Sequence, residues 1–373
     1  MISENFFNQI QQQLNNKLPF VVYRKPNDTL VKVLLQNTDE VHIVKDYSEK
    51  GFVFAPFDTN KEVVLIPLNI SSLLQEDFVM SSVVETSYLE SDDKIKNKEK
   101  HIELVQKGID GIKEKQFQKV VLSRCEKIKL TEIDCINVFK KLLQKYPTAF
   151  VYCWYHPKIG LWLGATPETL IKIEGSRFKT MALAGTQKFE GTLDVNWQDK
   201  EKEEQQFVTD FIVDSLKTSV KNLTISNIET IKAGNVLHLK TTIKGILDLN
   251  LLNLKQVIKV LHPTPAVCGL PKESTKQFII NNENYNREYY TGFLGELNFQ
   301  EKTTRNTNRR NVENNAYASV KHISNLFVNL RCMQIIEKKA LIYVGGGITK
   351  DSIPEAEWQE TVVKAEVMKK VLQ

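Results

Sequence analysis

Near the C-terminus a glycine triplet runs directly into a stretch that reads as a capped helix carrying a glutamate on its apolar face, Gly345 to Gln373. The triplet reads as a tight turn feeding the helix. Ser352, Pro354 and Glu355 supply the start signal: Ser-x-x-Glu is a capping box, and proline is tolerated in a first turn whose amide hydrogens lack partners. Ile353, Ala356, Val363 and Val367 then recur at helical spacing, with Glu360 inside that stripe and Glu357 and Lys364 along its edge. An ionised carboxylate is costly to bury uncompensated, so Glu360 predicts a cation, a donor network or a polar cavity opposite it. The competing reading is a solvated helix end on which Glu357, Glu360 and Lys364 pair, and this helix alone does not separate the two.

The rest of the chain bounds the setting. With 373 residues it is long enough for one large domain or two ordinary ones. Fifty basic against forty-five acidic residues give a formal charge of +5, short of a nucleic-acid-binding signature but compatible with anionic small molecules. Five scattered cysteines without a Cys-x-x-Cys pair point to free thiols in a reducing compartment, with neither a disulfide framework nor a zinc site. The polar start MISENFFNQI lacks a signal-peptide core, and no run approaches a membrane span, so a cytoplasmic location is expected.

Residues 1 to about 95 alternate short apolar runs with turn residues, as in Phe20–Tyr23, Val31–Leu35, Gly51–Pro56 and Val63–Pro67, and predict strands with little chemistry attached. A charged stretch from Asp92 leads into a helix ending near Lys115. Lys119–Leu130 reads as a strand with Lys119 at its start. Glu168 follows Thr166-Pro167, where the proline predicts an abrupt turn. Phe178–Gln187 ends a strand in Ala-Gly-Thr, where backbone amides and the Thr186 hydroxyl can approach a ligand. The helix that follows places Phe207, Val208, Phe211 and Ile212 three, four, seven and eight residues after Glu204, so Glu204 extends an apolar face. Two inward glutamates on separate helices suit a shared hard cation of the Mg2+ type. Asn235–Leu247 alternates as a strand around His238. Leu261–Lys272 is a proline-punctuated loop of the kind that lines sites. Gln300–Asn325 is a polar tract read as a long surface loop, Leu326–Ile335 a strand in which Arg331 invites an anionic partner.

Taken in order, KVVLSR, TPETL, LAGT, KEEQQFV, VLHL, HPTPAVCGLPK, REYYTGFLGE, VNLRC, GGGI and EWQETVVK resemble the chorismate-utilising enzymes, the family containing isochorismate synthase, salicylate synthase, anthranilate synthase component I and aminodeoxychorismate synthase component I. The resemblance covers about Ile102 to the C-terminus. It implies an α+β fold, a large β-sandwich core flanked by helices, built as a single domain over 1–373 with a strand-rich N-terminal part (1–95) and a chorismate-binding catalytic core (96–373). Within the family, lysine at the start of KVVLSR resembles the water-adding branches, where amine-adding branches typically carry glutamine. Ala184 stands where the aminodeoxychorismate branch typically has a nucleophilic lysine. KVVLSR and LAGT look more like isochorismate synthase than salicylate synthase.

The resemblance implies roles residue by residue. Lys119, its pKa lowered by burial or nearby positive charge, would be the general base that activates water for attack on C2 of chorismate, and Glu168 would protonate the departing C4 hydroxyl. Glu204 and Glu360, with Glu357 near or through water, would hold Mg2+ against the C1 carboxylate. Gly185, Thr186 and His238 would lie at the ring and that carboxylate; Tyr290, Arg331, the Gly345, Gly346 and Gly347 turn, and Lys364 would meet the substrate carboxylates. The chain departs from the family in having Gln205 where a histidine commonly follows the metal-site glutamate, and in its 300–325 tract, whose Arg305, Arg309, Arg310 and Lys321 could meet an acidic partner. The implied activity is Mg2+-dependent isochorismate synthesis by a monomer, feeding menaquinone or siderophore production. Salicylate synthase is the alternative within the family, and a non-catalytic binding protein the alternative outside it.

Overall fold

The computed structural model describes residues 4–78, 88–89, 94–131, 134–234, 236–248, 253–303 and 319–373. Among them are seven α-helices: α1 (Glu4–Asn15), α2 (Lys94–Lys113), α3 (Cys135–Lys145), α4 (Asp199–Leu216), α5 (Leu254–Leu261), α6 (Lys272–Asn282) and α7 (Pro354–Leu372). Two ten-stranded sheets, antiparallel at every described pairing, pack face to face, and the helices cover their outer faces. This is the α+β sandwich that the motifs imply.

The first sheet runs in space from Gly269–Leu270 through Lys119–Leu130, Lys339–Ile348, Cys332–Ile336, Gly160–Thr166, Phe150–His156, Phe20–Arg24 and Leu30–Gln36 to Ser71–Asp77, with Tyr88–Leu89 paired to the end of Lys119–Leu130 as its tenth strand. The second runs from Val220–Ile225 through Val236–Leu247, Arg177–Lys188, Thr169–Glu174, Ser319–Val328, Phe293–Thr303, Gly51–Ala55 and Val64–Pro67 to His42–Ile43, with Glu229–Ala233 paired to Val236–Leu247 as its tenth strand. Because helices cover the outer faces, inner strands are buried on both sides: Phe20–Arg24 is buried throughout and reads as one apolar run, without the alternation of a half-solvated strand.

Between the sheets lies an aromatic core. Tyr23, Phe150, Tyr152, Trp154 and Trp162 from the first sheet meet Phe52, Phe54, Leu294 and Phe327 from the second. Phe150 stacks on Phe327 with centroids 4.2 Å apart. Each fully buried ring of this kind contributes about 1.5–3 kcal/mol. Outside the first sheet, α1, α3 and α7 pack Phe6, Ile10, Phe139, Leu142, Met368 and Val371 onto Val22, Val33, Val151 and Leu163. Outside the second, α4 and α5 bury Val208, Ile212, Val257 and Leu261 against Ile171, Ala182 and Ile243.

Five local expectations are corrected. The glycine triplet is no turn: Gly345, Gly346 and Gly347 continue the Lys339–Ile348 strand, opposite Ser123, Leu122 and Val121. The capping box is not made, since α7 starts from Ile353 without a side-chain cap, while the Ser352 hydroxyl accepts from the Thr349 amide at 3.0 Å. Ile353 is 62% exposed and Ala356 is exposed, while Val367 is buried as expected; the first turns bury Glu357, Thr361 and Lys364 instead, facing the strand beneath. Arg331 lies in the break between Ser319–Val328 and Cys332–Ile336, at a φ of 47°, not within one strand. The 300–325 tract is also not all loop. Its two ends pair as strands, Gln300 with His322 and Glu301 with Lys321, whereas Arg305, Arg309 and Arg310 lie outside the described residues.

Candidate active site

The chain changes sheets twice at one place. Thr166-Pro167-Glu168 carries it from the first sheet to the second, and Asn329-Leu330-Arg331 carries it back. The crossings are tied together: the Thr166 hydroxyl donates to Val328 O at 2.6 Å, the Val328 amide to Glu168 O at 3.0 Å, and the Ala165 amide to Arg331 O at 3.0 Å. Beside them, past the aromatic core, a cavity opens between the two sheets. Twelve of the fourteen residues that the motifs single out line it. Glu168 and Arg331 come from the crossings, Gly185, Thr186 and His238 from the second sheet, and Gly345, Gly346 and Gly347 from the first. Tyr290 enters from the segment before Phe293, Glu204 from α4, and Glu360 and Lys364 from α7. Lys119 and Glu357 stand immediately behind this wall, 0% and 1% exposed.

Strand alternation delivers Lys119. Val120 and Leu122 point into the layer formed with α2 and α6, so Lys119 and Val121 face the other way. The Lys119 ammonium lies 2.8 Å from Glu204 Oε1, in a geometry that makes an ion pair but no hydrogen bond. Burial pushes the Glu204 carboxyl up, and the ammoniums of Lys119, Lys200 and Lys364 more than offset this and hold it low. Glu168 is the opposite case. It is 3% exposed, burial pushes its pKa up to about 8, and the positive charges of Lys119 and Arg331 only partly offset that.

Gly185 sits in a bulge of the Arg177–Lys188 strand at φ 70°, a conformation that favours glycine. Its carbonyl accepts from His238 Nδ1 at 2.7 Å, and the Thr186 hydroxyl lies 3.4 Å from the same nitrogen. That bond leaves Nε2 as the acceptor for an Arg331 N–H at 3.2 Å. Burial, then Arg331 and Lys364, push the histidine pKa down to about 3, so the ring is neutral. The Arg331 Nε hydrogen is buried without a partner, a donor left for an acceptor from the cavity.

The glycine strand is where the carboxylates meet. A Cβ on Gly347 would fall 2.1 Å from Glu204 Oε1, and one on Gly346 would fall 3.2 Å from Glu360 Oε1 and 3.5 Å from Glu357 Oε2. A side chain at Gly347 would force the Glu204 carboxylate aside, and one at Gly346 would crowd Glu360. Each carboxylate is held by a lysine: Glu204 by Lys119, Glu360 by Lys364 at 2.6 Å, and Glu357 by Lys200. Lys364 also donates to Gly345 O at 3.0 Å. Among the described residues no group of three or more His, Cys, Asp or Glu side chains is drawn together closely enough to hold a metal ion. The donor set nevertheless fits a hard divalent cation. Glu357 Oε2 is buried without a hydrogen-bond partner, and burial and the neighbouring Glu360 charge push the Glu357 carboxyl up, a repulsion that a cation would relieve.

Sequence reading missed Lys200, although it lies one helical turn before Glu204 and shares its face. It also missed Val121 and Thr291 in the wall; Ala266 and Val267 come from the proline-punctuated loop expected to line a site. Gln205 points away, donating to Ala182 O at 3.1 Å and to the Thr241 hydroxyl at 3.0 Å, so the departure from the family pattern at this position anchors α4 to its sheet outside the cavity.

A family model described as chorismate binding enzyme matches residues 61–304, and a second with the same description matches 316–370. The chain belongs to the chorismate-binding enzyme family. It is 29% identical over 283 residues to the isochorismate synthase MenF of Pasteurella multocida, covering 72% of this chain and 60% of that one. The chain spans 60% to 62% of the length of the first curated relatives it matches. Its fold is similar to that of the menaquinone-specific isochorismate synthase MenF from Escherichia coli, with a TM-score of 0.75 at 20% identity over 95% of this chain and 89% of that chain. It is also similar to that of anthranilate synthase component I from Streptococcus pneumoniae, with a TM-score of 0.64 at 16% identity over 94% and 89%. Among the described residues no helix is long and apolar enough to cross a membrane.

Proposed function

We propose that this protein is an isochorismate synthase that isomerises chorismate by adding water at ring carbon C2 and expelling the C4 hydroxyl. The observation that carries this reading is the pairing of an electrostatically coupled buried lysine and glutamate, in which Glu168, with a pKa of about 8, keeps a proton at neutral pH. Hydroxide is a poor leaving group, so its departure needs an acid that is protonated at working pH, and Glu168 meets that requirement. Lys119 is the base: as the neutral amine it takes the proton of the attacking water, so the ammonium paired with Glu204 must first release its own proton.

The unpartnered Arg331 Nε hydrogen, on a guanidinium oriented by the neutral His238 ring, is a donor for a substrate carboxylate, and Tyr290 and the open edge of the Gly345–Gly347 strand bound the ring. Glu204 and Glu360, with Glu357 behind them, would hold Mg2+, which when bound would supply charge neutralisation at the C1 carboxylate. Relatives named isochorismate synthase support the assignment of the branch. Whether the product feeds menaquinone or siderophore synthesis turns on the enzyme that consumes it.

The test is to incubate the purified protein with chorismate, with and without Mg2+, and to identify products by chromatography and mass spectrometry. Isochorismate formed without pyruvate, and only with metal, is the expected result. Salicylate with pyruvate would move the protein to the neighbouring branch, and chorismate binding without turnover would favour a non-catalytic role.

A further inference from the structure

A second cavity, of about 660 Å³, lies on the outer face of the second sheet, beneath α5 and α6. Its floor is apolar, built from Tyr47, Val63, Ile258 and Phe293. Its rim is cationic: six lysines against three carboxylates, Asp58, Glu62 and Glu273. The arrangement of the lysines is informative. Lys255 and Lys259 stand one turn apart on α5, and Lys272 and Lys276 one turn apart on α6, all four on the cavity wall. Like charges at this spacing each cost a few tenths of a kcal/mol, and here two such pairs converge on one space.

Internal acids do not account for the charge. Lys276, 7% exposed, takes Asp58 at 2.8 Å, and Lys272 is spent on the carbonyls of Lys259 and His262 at the end of α5. Lys255 donates to Lys45 O, and Lys259 has no ion-pair partner among the described residues. We propose that this cavity is a second ligand site, taking a small amphipathic anion whose apolar body lies on Tyr47 and Phe293 and whose carboxylate or phosphate meets Lys255 and Lys259. The volume is that of a small-molecule site.

Two segments connect this site to the active-site cavity. Pro263 lines the one and Ala266 and Val267 the other, and Phe293 lines the one and Tyr290 and Thr291 the other, so an occupant bears on the neighbouring wall through three residues of chain. The proposal does not rest on the chorismate reaction and stands or falls apart from it.

The test titrates the full chain with 1-anilinonaphthalene-8-sulfonate, an apolar double ring carrying one anion, and follows its fluorescence. Saturable binding is expected, weakened at least about tenfold in the K255E/K259E variant. Equal binding by both proteins overturns the proposal, because probe bound elsewhere is indifferent to these lysines. Should circular dichroism show that K255E/K259E is unfolded, K255Q/K259Q replaces it, with weakening of about threefold expected and none overturning the proposal. Displacement of the probe by benzoate assigns a carboxylate ligand and displacement by phenyl phosphate a phosphate one; displacement by neither overturns the site.

Discussion

Glu168 keeps its proton at neutral pH because burial outweighs the two positive charges near it. Its folded-state pKa of about 8 lies above the roughly 4.3 of an unfolded glutamate. Between those values the folded state holds the extra proton, so stability is greatest below the lower value and is lost as pH rises toward the upper one. The slope reaches about 1.4 kcal/mol per pH unit. Glu168→Gln should flatten this dependence in thermal melts and stabilise the protein at alkaline pH, while lowering turnover about 10²–10⁴-fold, as loss of a general acid does. Lys119→Ala is expected to abolish isomerisation while leaving the circular dichroism spectrum intact, since Glu204 keeps Lys200 and Lys364 nearby. Unchanged turnover would remove Lys119 as the base.

At the scale of elements, the site depends on a strand thin enough for two helices to reach across. A methyl on Gly347 would displace the Glu204 carboxylate, so Gly347→Ala is expected to lose turnover with little change in melting temperature. Lys200 binds the start of α4 to α7 through Glu357. Lys200→Met strands a buried carboxylate, at a cost of about 1–3 kcal/mol once the 24% exposure of the lysine is discounted. A urea midpoint measures that loss, and added Mg2+ should restore part of it if the cation binds these glutamates. α7 also shows how much of an element was legible. Its extent was plain from Pro354 and the run that follows. Its buried face was not, because Glu357 is favoured inside by Lys200 on another helix, a partner that periodicity within α7 cannot register.

Across the whole molecule, the sandwich is pinned by a buried charge as well as by rings. Glu296 of the second sheet accepts from the Tyr23 hydroxyl at 2.7 Å and pairs with Lys25 at 2.6 Å and Lys32 at 3.1 Å, all from the first sheet or the turn after its Phe20–Arg24 strand. Burial raises its pKa, but the two lysines and the tyrosine more than offset that and hold it below the usual range. Its contribution is therefore present above the unfolded pKa and is lost as pH falls through the folded one. Glu296→Gln should cost about 2–4 kcal/mol at neutral pH and less in acid, read as a converging pair of denaturation curves. A loss independent of pH would mean that packing, not charge, is what Glu296 provides.

Many strand and helix spans, and the set of polar residues that line one cavity, were legible in the sequence alone, because propensity and motif order are local properties. Lys119–Leu130 is a strand over the predicted range, and ten motifs in family order named the residues of one cavity. What only the tertiary structure decided is where those residues stand relative to one another. Gly345–Gly347 looks like a turn until the Lys119–Leu130 strand pairs with it, and the burial that keeps Glu168 protonated comes from two crossings 162 residues apart, Thr166 on Val328. Burial and charge pairing are sums over neighbours in space, and here nearly all of those neighbours come from distant parts of the chain.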